Sequence, residues 1–423
     1  MTHPSPTRRT LPATAALGAV VALTLTSCGS PDADGGLRFA WWGSTERNQL
    51  TQEALEVFES ETGISVSGES SDTAGHFDRL ATAVAGGDAP DVFTLGGAYP
   101  GEYADRGALL DLETVSETLD MSTLDDGALE NGQIDGTQYA LSTGSNALAV
   151  LVNPALFEEA GVELPDPQTW TWDDFQEISS QIAENTDGYG ADGFDHDTVE
   201  VFARQHGEAL YTEDGQVGVS AEALEDMFTR MQQMVDDGAA PPASVITEQE
   251  GAAPEETLLA TGQVAMTIDW SNFLSTFSQS VGEDLELWPL PGESSTPGVW
   301  QQSSQFYAIA ADAADPEAAA QLVDFLVNSE QAVEILGLER GVPDSPAMRE
   351  TLEGSLDENQ QAEVDYVEEV AERDPAPHWI GPAGSTAIED ITPRIIDQLL
   401  HHGASPEDAA EQWLTEARAA VGE

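Results

Sequence analysis

From residue 37 onward the chain alternates between short apolar runs and stretches with a helical hydrophobic period, and this alternation restricts the fold more than any other feature. "LRFAWW" and "ISVSG" read as strands around a segment whose Leu50, Ala54, Leu55 and Phe58 share one helix face. "HFDRLATAVAGGDAPDVFTLG" reads as helix, turn and strand, with Pro90 and Asp91 opening the strand. Strand-like runs recur in "YALSTGSNALAVLVN", "VAMTIDW" and "QFYAIAA". Repeated strand–helix–strand units predict parallel, doubly wound α/β sheets. Helix starts are marked as well: Thr171 and Asp174 have capping-box spacing, and Asp315 and Ser405 each precede a proline at a first helical position.

The residues ahead of this pattern read as a leader. Arg8 and Arg9 precede an uncharged apolar stretch too short for a membrane span, which ends in Leu25-Thr26-Ser27-Cys28. This ending resembles a bacterial lipobox, which implies cleavage before Cys28 and lipid attachment to its thiol. Residues 1–27 are then a lipoprotein signal peptide and residues 28–36 a flexible tether. The arginine pair leaves the export route open between the general secretory and twin-arginine systems. Cys28 is the only cysteine, so the core rather than an intramolecular disulfide is expected to hold the fold. The remaining length is ample for two lobes.

Charge narrows the partners. The chain has 78 acidic residues against 13 basic ones, every one of them arginine, for a formal net charge of −65. Nucleic acid and anionic membrane surfaces are repelled by such a field. The acids are dispersed in ones and twos, as a solvated surface requires, and a cationic ligand is the sharper alternative. The lack of lysine excludes a P-loop lysine, a Schiff-base lysine and a pyridoxal attachment site.

No catalytic motif survives its context test. Gly188, Gly190 and Gly193 match G-x-G-x-x-G, but they follow the polar "ENTD" rather than a strand and read as a glycine turn. Asp195-His196-Asp197 lacks the spacing of an EF-hand or zinc site. His401-His402 reads as a surface pair near a helix end. With so many acids, a chance pair of carboxylates carries no information about glycoside hydrolysis. Neither an enzyme, a metal nor a cofactor is expected.

Six blocks carry a resemblance, in order along nearly the whole chain: "LRFAWWGSTERNQLTQEALEVFESETGISV", "GGDAPDVFTLGGAYPGEYADRGALLDL", "LSTGSNALAVLVNPALFEEAGV", "TWTWDDF", "TGQVAMTIDWSNF" and "LVDFLVNSEQAVEILGLERGVPDSPAMRETL". The chain resembles extracellular solute-binding protein family 1, the substrate-binding lipoproteins of sugar ABC transporters, in its actinobacterial type and with maltose-binding protein as distant kin. The resemblance implies a periplasmic-binding-protein-like α/β fold, with two doubly wound lobes and a hinge the chain crosses more than once. Crossings are expected near Gly144–Leu148, Gly298–Ser304 and Gly341–Ser345, where Gly, Ser and Pro suit backbone rotation. Residues 37–145 plus 303–341 would form the N-terminal lobe, and 146–302 plus 342–423 the C-terminal lobe. It also implies a monomer on the outer face of the cell membrane, delivering a carbohydrate to membrane permease subunits of an ABC importer. The alternatives are a cationic or other non-sugar solute (polyamine, osmolyte) and a surface sensing or adhesion lipoprotein on the same fold.

The physics of sugar binding selects the candidates. A pyranose offers an apolar face to aromatic rings and a hydroxyl rim to amides, carboxylates and arginine, at strand ends facing a cleft. Trp42, Ser44 and Arg47 follow the first strand, and alternation sends Trp41 to the core and Trp42 toward the site. Tyr99 lies beyond "DVFTLGGA", where Gly96 and Gly97 stand in place of the acid that relatives often carry. Ser145 and Asn146 mark the first crossing. Asp269, Trp270 and Asn272 end the "VAMTI" strand, and Trp270 resembles an aromatic sugar platform of the family. Trp300, Gln301 and Ser304 flank the second crossing, and Trp379 lies in "PHWIGPAG". Trp172, Trp288 and Trp413 read as packing, and Arg106 as a structural ion pair.

Overall fold

The strand Leu37–Trp42 separates its two tryptophans by alternation. Phe39 and Trp41 are buried together with ring centroids 4.9 Å apart, whereas Trp42 is half-buried on the other side of the strand. The computed structural model describes residues 36–249, 252–373 and 375–423. The expected signal peptide, Cys28 and all of the expected tether but its last residue, Gly36, lie outside these residues.

Two sheets organise two α/β lobes. In the first, Leu37–Trp42 pairs in parallel with Val66–Ser71 and with Val92–Leu95, and helices Thr45–Thr62 and Thr73–Gly86 make the crossovers. The remaining two strands, Phe306–Ile309 and Leu141–Ser142, are antiparallel to their neighbours. Parallel pairing therefore holds where a helix carries the chain back. It gives way to antiparallel pairing where the chain enters from, or leaves for, the second sheet. That sheet has the order Glu286–Trp288, Leu148–Val152, Val264–Trp270, Tyr189–Asp192. Leu148–Val152 is buried at every residue, the signature of a central strand covered on both faces.

Local signals act as the sequence predicts. Thr171 and Asp174 form a reciprocal capping box, and Asp315 and Ser405 cap helices with proline in the first turn. Phe39, Trp41, Phe58 and Tyr307 fill the first lobe's core. Trp172, Trp288 and Trp413 are all buried in the second, where Trp413 donates its indole N–H to Thr392 Oγ1 at 2.9 Å. Arg106 pairs with Glu102 on its own helix turn. Among the described residues no helix is long and apolar enough to cross a membrane.

Three segments run side by side between the sheets. Ser145–Asn146 pairs antiparallel with Gln302–Ser303, and Ser145 exchanges both backbone hydrogen bonds with Val342, at 2.8 and 2.9 Å. Their approach requires glycine at two facing positions. Gly144 (φ 148°) and Gly341 (φ 93°) touch backbone to backbone, and a Cβ on Gly341 would lie 2.7 Å from the Gly144 carbonyl carbon.

Candidate ligand-binding cleft

A cavity of about 400 Å³ opens beside these three segments. Its first wall is Gly97 and Ala98, just past the strand Val92–Leu95. Its floor is Asn146, Ser303 and Ser304 on the crossing segments. Trp270 and Asn272 enter from the end of Val264–Trp270, and His196 and Asp197 from the start of helix His196–Gln205. His378, Trp379, Ser385 and Glu389 close the far side. Strand ends and helix starts thus supply the lining, as α/β topology favours.

The rings are held before any ligand arrives. Trp270 donates its indole N–H to Asp197 Oδ2 at 3.0 Å, and Trp300 donates to Gln302 Oε1 at 2.8 Å. The two indoles stand at 87° with centroids 6.0 Å apart. Trp300 is only 3% exposed; His378 stacks on it at 5.2 Å and Arg204 lies over it at 5.6 Å. Trp300 is therefore a backing ring, and half-buried Trp270 and Trp379 present the open faces.

Burial and crowding of acids set the electrostatics. Desolvation pushes Asp197 up to about 7, with Asp195 and Glu389 adding repulsion against the opposing pull of His196. Desolvation pulls His196 down, but Asp197, Asp195 and Glu389 together hold it above the ordinary imidazole value. Desolvation and the nearby Arg204 pull His378 down to about 3, so its ring is neutral. Asp195, His196 and Asp197 bring ligand atoms within 4.8 Å of one another. Asp195 Oδ1, however, caps the helix by accepting the N–H groups of Asp197 and Thr198, and would have to share that role with an ion.

Of the residues singled out in the sequence, Asn146, Trp270, Asn272, Trp300, Ser304 and Trp379 line this cavity. The others lie elsewhere. Trp42 packs 5.0 Å from both His76 and Phe77, and Tyr99 stacks on Phe77 at 3.8 Å, so these rings satisfy one another inside the first lobe. Ser44 caps helix Thr45–Thr62, and Arg47 is committed to Glu339 at 3.0 Å and to the Glu339 carbonyl at 2.7 Å. Ser145 donates to Asp344 beneath the crossing. Gln301 is buried, its carbonyl accepting from Asn131. Asp269 accepts from the Trp270 backbone and faces a second cavity.

The sequence reading missed His196, Asp197, Tyr211, Ser303, His378, Ser385 and Glu389. The sequence marks His196 and Asp197 only as candidate metal ligands, and Glu389 has no local mark among 78 acids. Glu389 occupies the place left by the glycine loop, for a Cβ on Gly97 would lie 3.1 Å from its Oε1. The same region links the two sides of the cleft, where Thr386 donates to Glu102 Oε1 at 2.7 Å.

Two α/β lobes with a ring-lined cavity beside their crossing segments have the architecture of a solute-binding protein. The chain belongs to the bacterial extracellular solute-binding proteins, whose family model matches residues 42–333. A binding protein of Brucella abortus is 24% identical over 233 residues, covering 53% of this chain and 55% of its own. The chain thus spans about half the length of the curated relatives it matches. The extracellular solute-binding protein family 1 structure from Alicyclobacillus acidocaldarius is 26% identical, with a TM-score of 0.73 over 92% of this chain and 98% of that one. The oligogalacturonide-binding protein of Yersinia enterocolitica, in complex with saturated digalacturonic acid, is 25% identical with a TM-score of 0.75, covering 91% and 98%.

Proposed function

We propose that this chain is the lipid-anchored binding component of an ABC importer for carbohydrate, attached to the cell membrane through Cys28. The lobes are residues 37–145 with 303–341, and 146–302 with 342–423, turning about the crossings at Ser145, Ser303 and Val342. The Thr386–Glu102 contact across the cleft would break as the lobes reopen, and delivery to the permease follows reopening. Binding, not turnover, is the role.

One observation carries this reading: pre-oriented Trp270 stands beside buried polar atoms that have no partner. Asn146 and Ser303 line the cavity, and Asn146 Oδ1 and Ser303 Oγ are buried there without a hydrogen bond. A stacking face next to unsatisfied hydrogen-bonding groups suits a pyranose, whose hydroxyls would complete them. A saccharide-bound relative of the same fold and family supports it.

The test is a melting-temperature panel of mono- and oligosaccharides on the mature chain. A cognate sugar raises the midpoint with the logarithm of its concentration once that exceeds its Kd. If no saccharide does so at millimolar concentration, the carbohydrate reading falls. Lipid attachment is tested separately, since Cys28→Ser should release the protein from cells into the medium.

A further inference from the structure

Five carboxylates converge where the cleft meets a second cavity. That inner cavity, about 470 Å³, lies within the second lobe and shares His196 and Glu389 with the cleft. Asp192 ends the strand Tyr189–Asp192, Asp195 caps helix His196–Gln205, Asp197 lies in that helix's first turn, and Asp269 comes from the end of strand Val264–Trp270. Glu389 comes from the first turn of helix Ala387–His402. Among the described residues no arginine pairs with any of the five; Asp197 has only His196 Nε2, at 3.3 Å. Arg204, which reaches the cleft over Trp300, is held by Glu200 and by the carbonyls of Ala376 and Pro377.

Charge alone would make this a solvated acidic rim, and two independent observations argue otherwise. Asn146 is 7% exposed and Ser303 2% exposed, yet Asn146 Oδ1 and Ser303 Oγ, both on the cleft, have no partner. A buried acceptor left without a donor is costly, and a ligand N–H or O–H would satisfy it, which marks the cleft as a ligand site. The open ring faces, moreover, come from two segments: Trp270 from the end of its strand and Trp379 from the stretch ahead of helix Ala387–His402, while Trp300 and His378 stack on each other. A neutral pyranose is served by one flat face, whereas a cation gains from ring faces on several sides.

We propose that the captured solute carries a protonated amine, as an amino sugar or an amine-bearing saccharide does, with the ammonium seated at the junction of the two cavities between Asp197 and Glu389. This rests on the carbohydrate reading and adds a charge to it. The ammonium supplies the positive charge that no arginine provides, and the rest of the solute offers donors to the cleft's unpaired acceptors. The sugar ring retains Trp270. An anionic saccharide such as digalacturonate is excluded by the same carboxylates.

Isothermal titration of the mature chain separates the two ideas. The probes are glucosamine and galactosamine with their short β-1,4 oligomers, each matched by its N-acetylated form, together with digalacturonate, spermidine and calcium chloride. The expected result is a free-amine saccharide binding about threefold or more tighter than its N-acetylated partner, the scale of a charge pair that keeps part of its solvent. Glu389→Gln, an exposed position that folding tolerates, should bring that ratio toward one. Equal affinity for amine and N-acetyl forms, or tighter binding of digalacturonate, overturns the amine and leaves the carbohydrate reading standing. Spermidine binding with no saccharide binding upholds the amine and removes the carbohydrate. Calcium binding alone, or no response to any amine, overturns the proposal.

Discussion

Trp270 Nε1 lies 3.0 Å from Asp197 Oδ2, so the ring that faces the cleft is fixed by an acid whose charge is itself hard to keep. Each residue serves the other. The indole N–H is one of the groups favouring ionised Asp197, and the carboxylate stops the ring from rotating out of the wall. Fixing a platform in advance lowers the ordering cost of binding. Trp270→Ala should weaken binding of the cognate saccharide by about 1–3 kcal/mol, the value of one buried aromatic contact. Trp270→Phe should lose less, because it keeps a stacking face and loses only the tether. Titration of both variants checks this, and unchanged affinity in Trp270→Ala would remove Trp270 from the site.

The fold was more legible than the site, for reasons visible at particular residues. Strand ends are written in local pattern, so "VAMTIDW" points to Trp270 and Asn272 and "STGSNA" to Asn146. Trp42 and Tyr99 also follow strands, but their neighbours His76 and Phe77 come from a helix whose docking no local pattern reports. Arg47 was open to two readings, and only the chain's return at Glu339 decides between them. Glu389 and His378 reach the cleft from the C-terminal helical region, far in sequence from every strand end. Such long-range assembly is invisible to periodicity.

The facing glycines of the crossing make a second prediction. Gly341→Ala places a methyl 2.7 Å from the Gly144 backbone at φ 93°, so it meets both steric overlap and conformational strain. It should cost about 2 kcal/mol or more in urea unfolding. Gly354→Ala is the control, since its φ of 79° is equally unfavourable but nothing lies within 4 Å of the added carbon. That variant should lose only about 1 kcal/mol. Equal losses would show that backbone contact at the crossing is unimportant.

Buried acids fix the direction of pH dependence. Burial pushes Asp344 up to about 6 and Glu363 up to about 7, against partial relief from Ser145 and Ser275. Both values exceed the ordinary carboxylate range, so between about pH 5 and 7 the folded chain binds more protons than the unfolded one. Stability should therefore fall as pH rises through that window, by about 3 kcal/mol per group once fully ionised. Urea midpoints should be higher at pH 5.5 than at pH 8. Asp344→Asn and Glu363→Gln should each flatten the slope. A midpoint that climbs with pH over this range would contradict the assignment.

Salt should act in opposite directions on stability and on capture. A formal net charge of −65 repels itself most in the compact state, and few arginines are available to break up the field. At about 0.1 M salt the screening length is roughly 10 Å, which cuts repulsion between dispersed surface acids. The melting temperature of the free chain should rise steadily with sodium chloride. Affinity for an amine-bearing saccharide should instead fall over the same range, because the carboxylates at Asp197 and Glu389 are screened from the ammonium. A neutral saccharide, held by stacking and hydrogen bonds, should show little change. Measuring both series in the same salt titration separates general charge repulsion from a specific contact: parallel trends for the two ligands would mean that the cleft acids only add to the overall field.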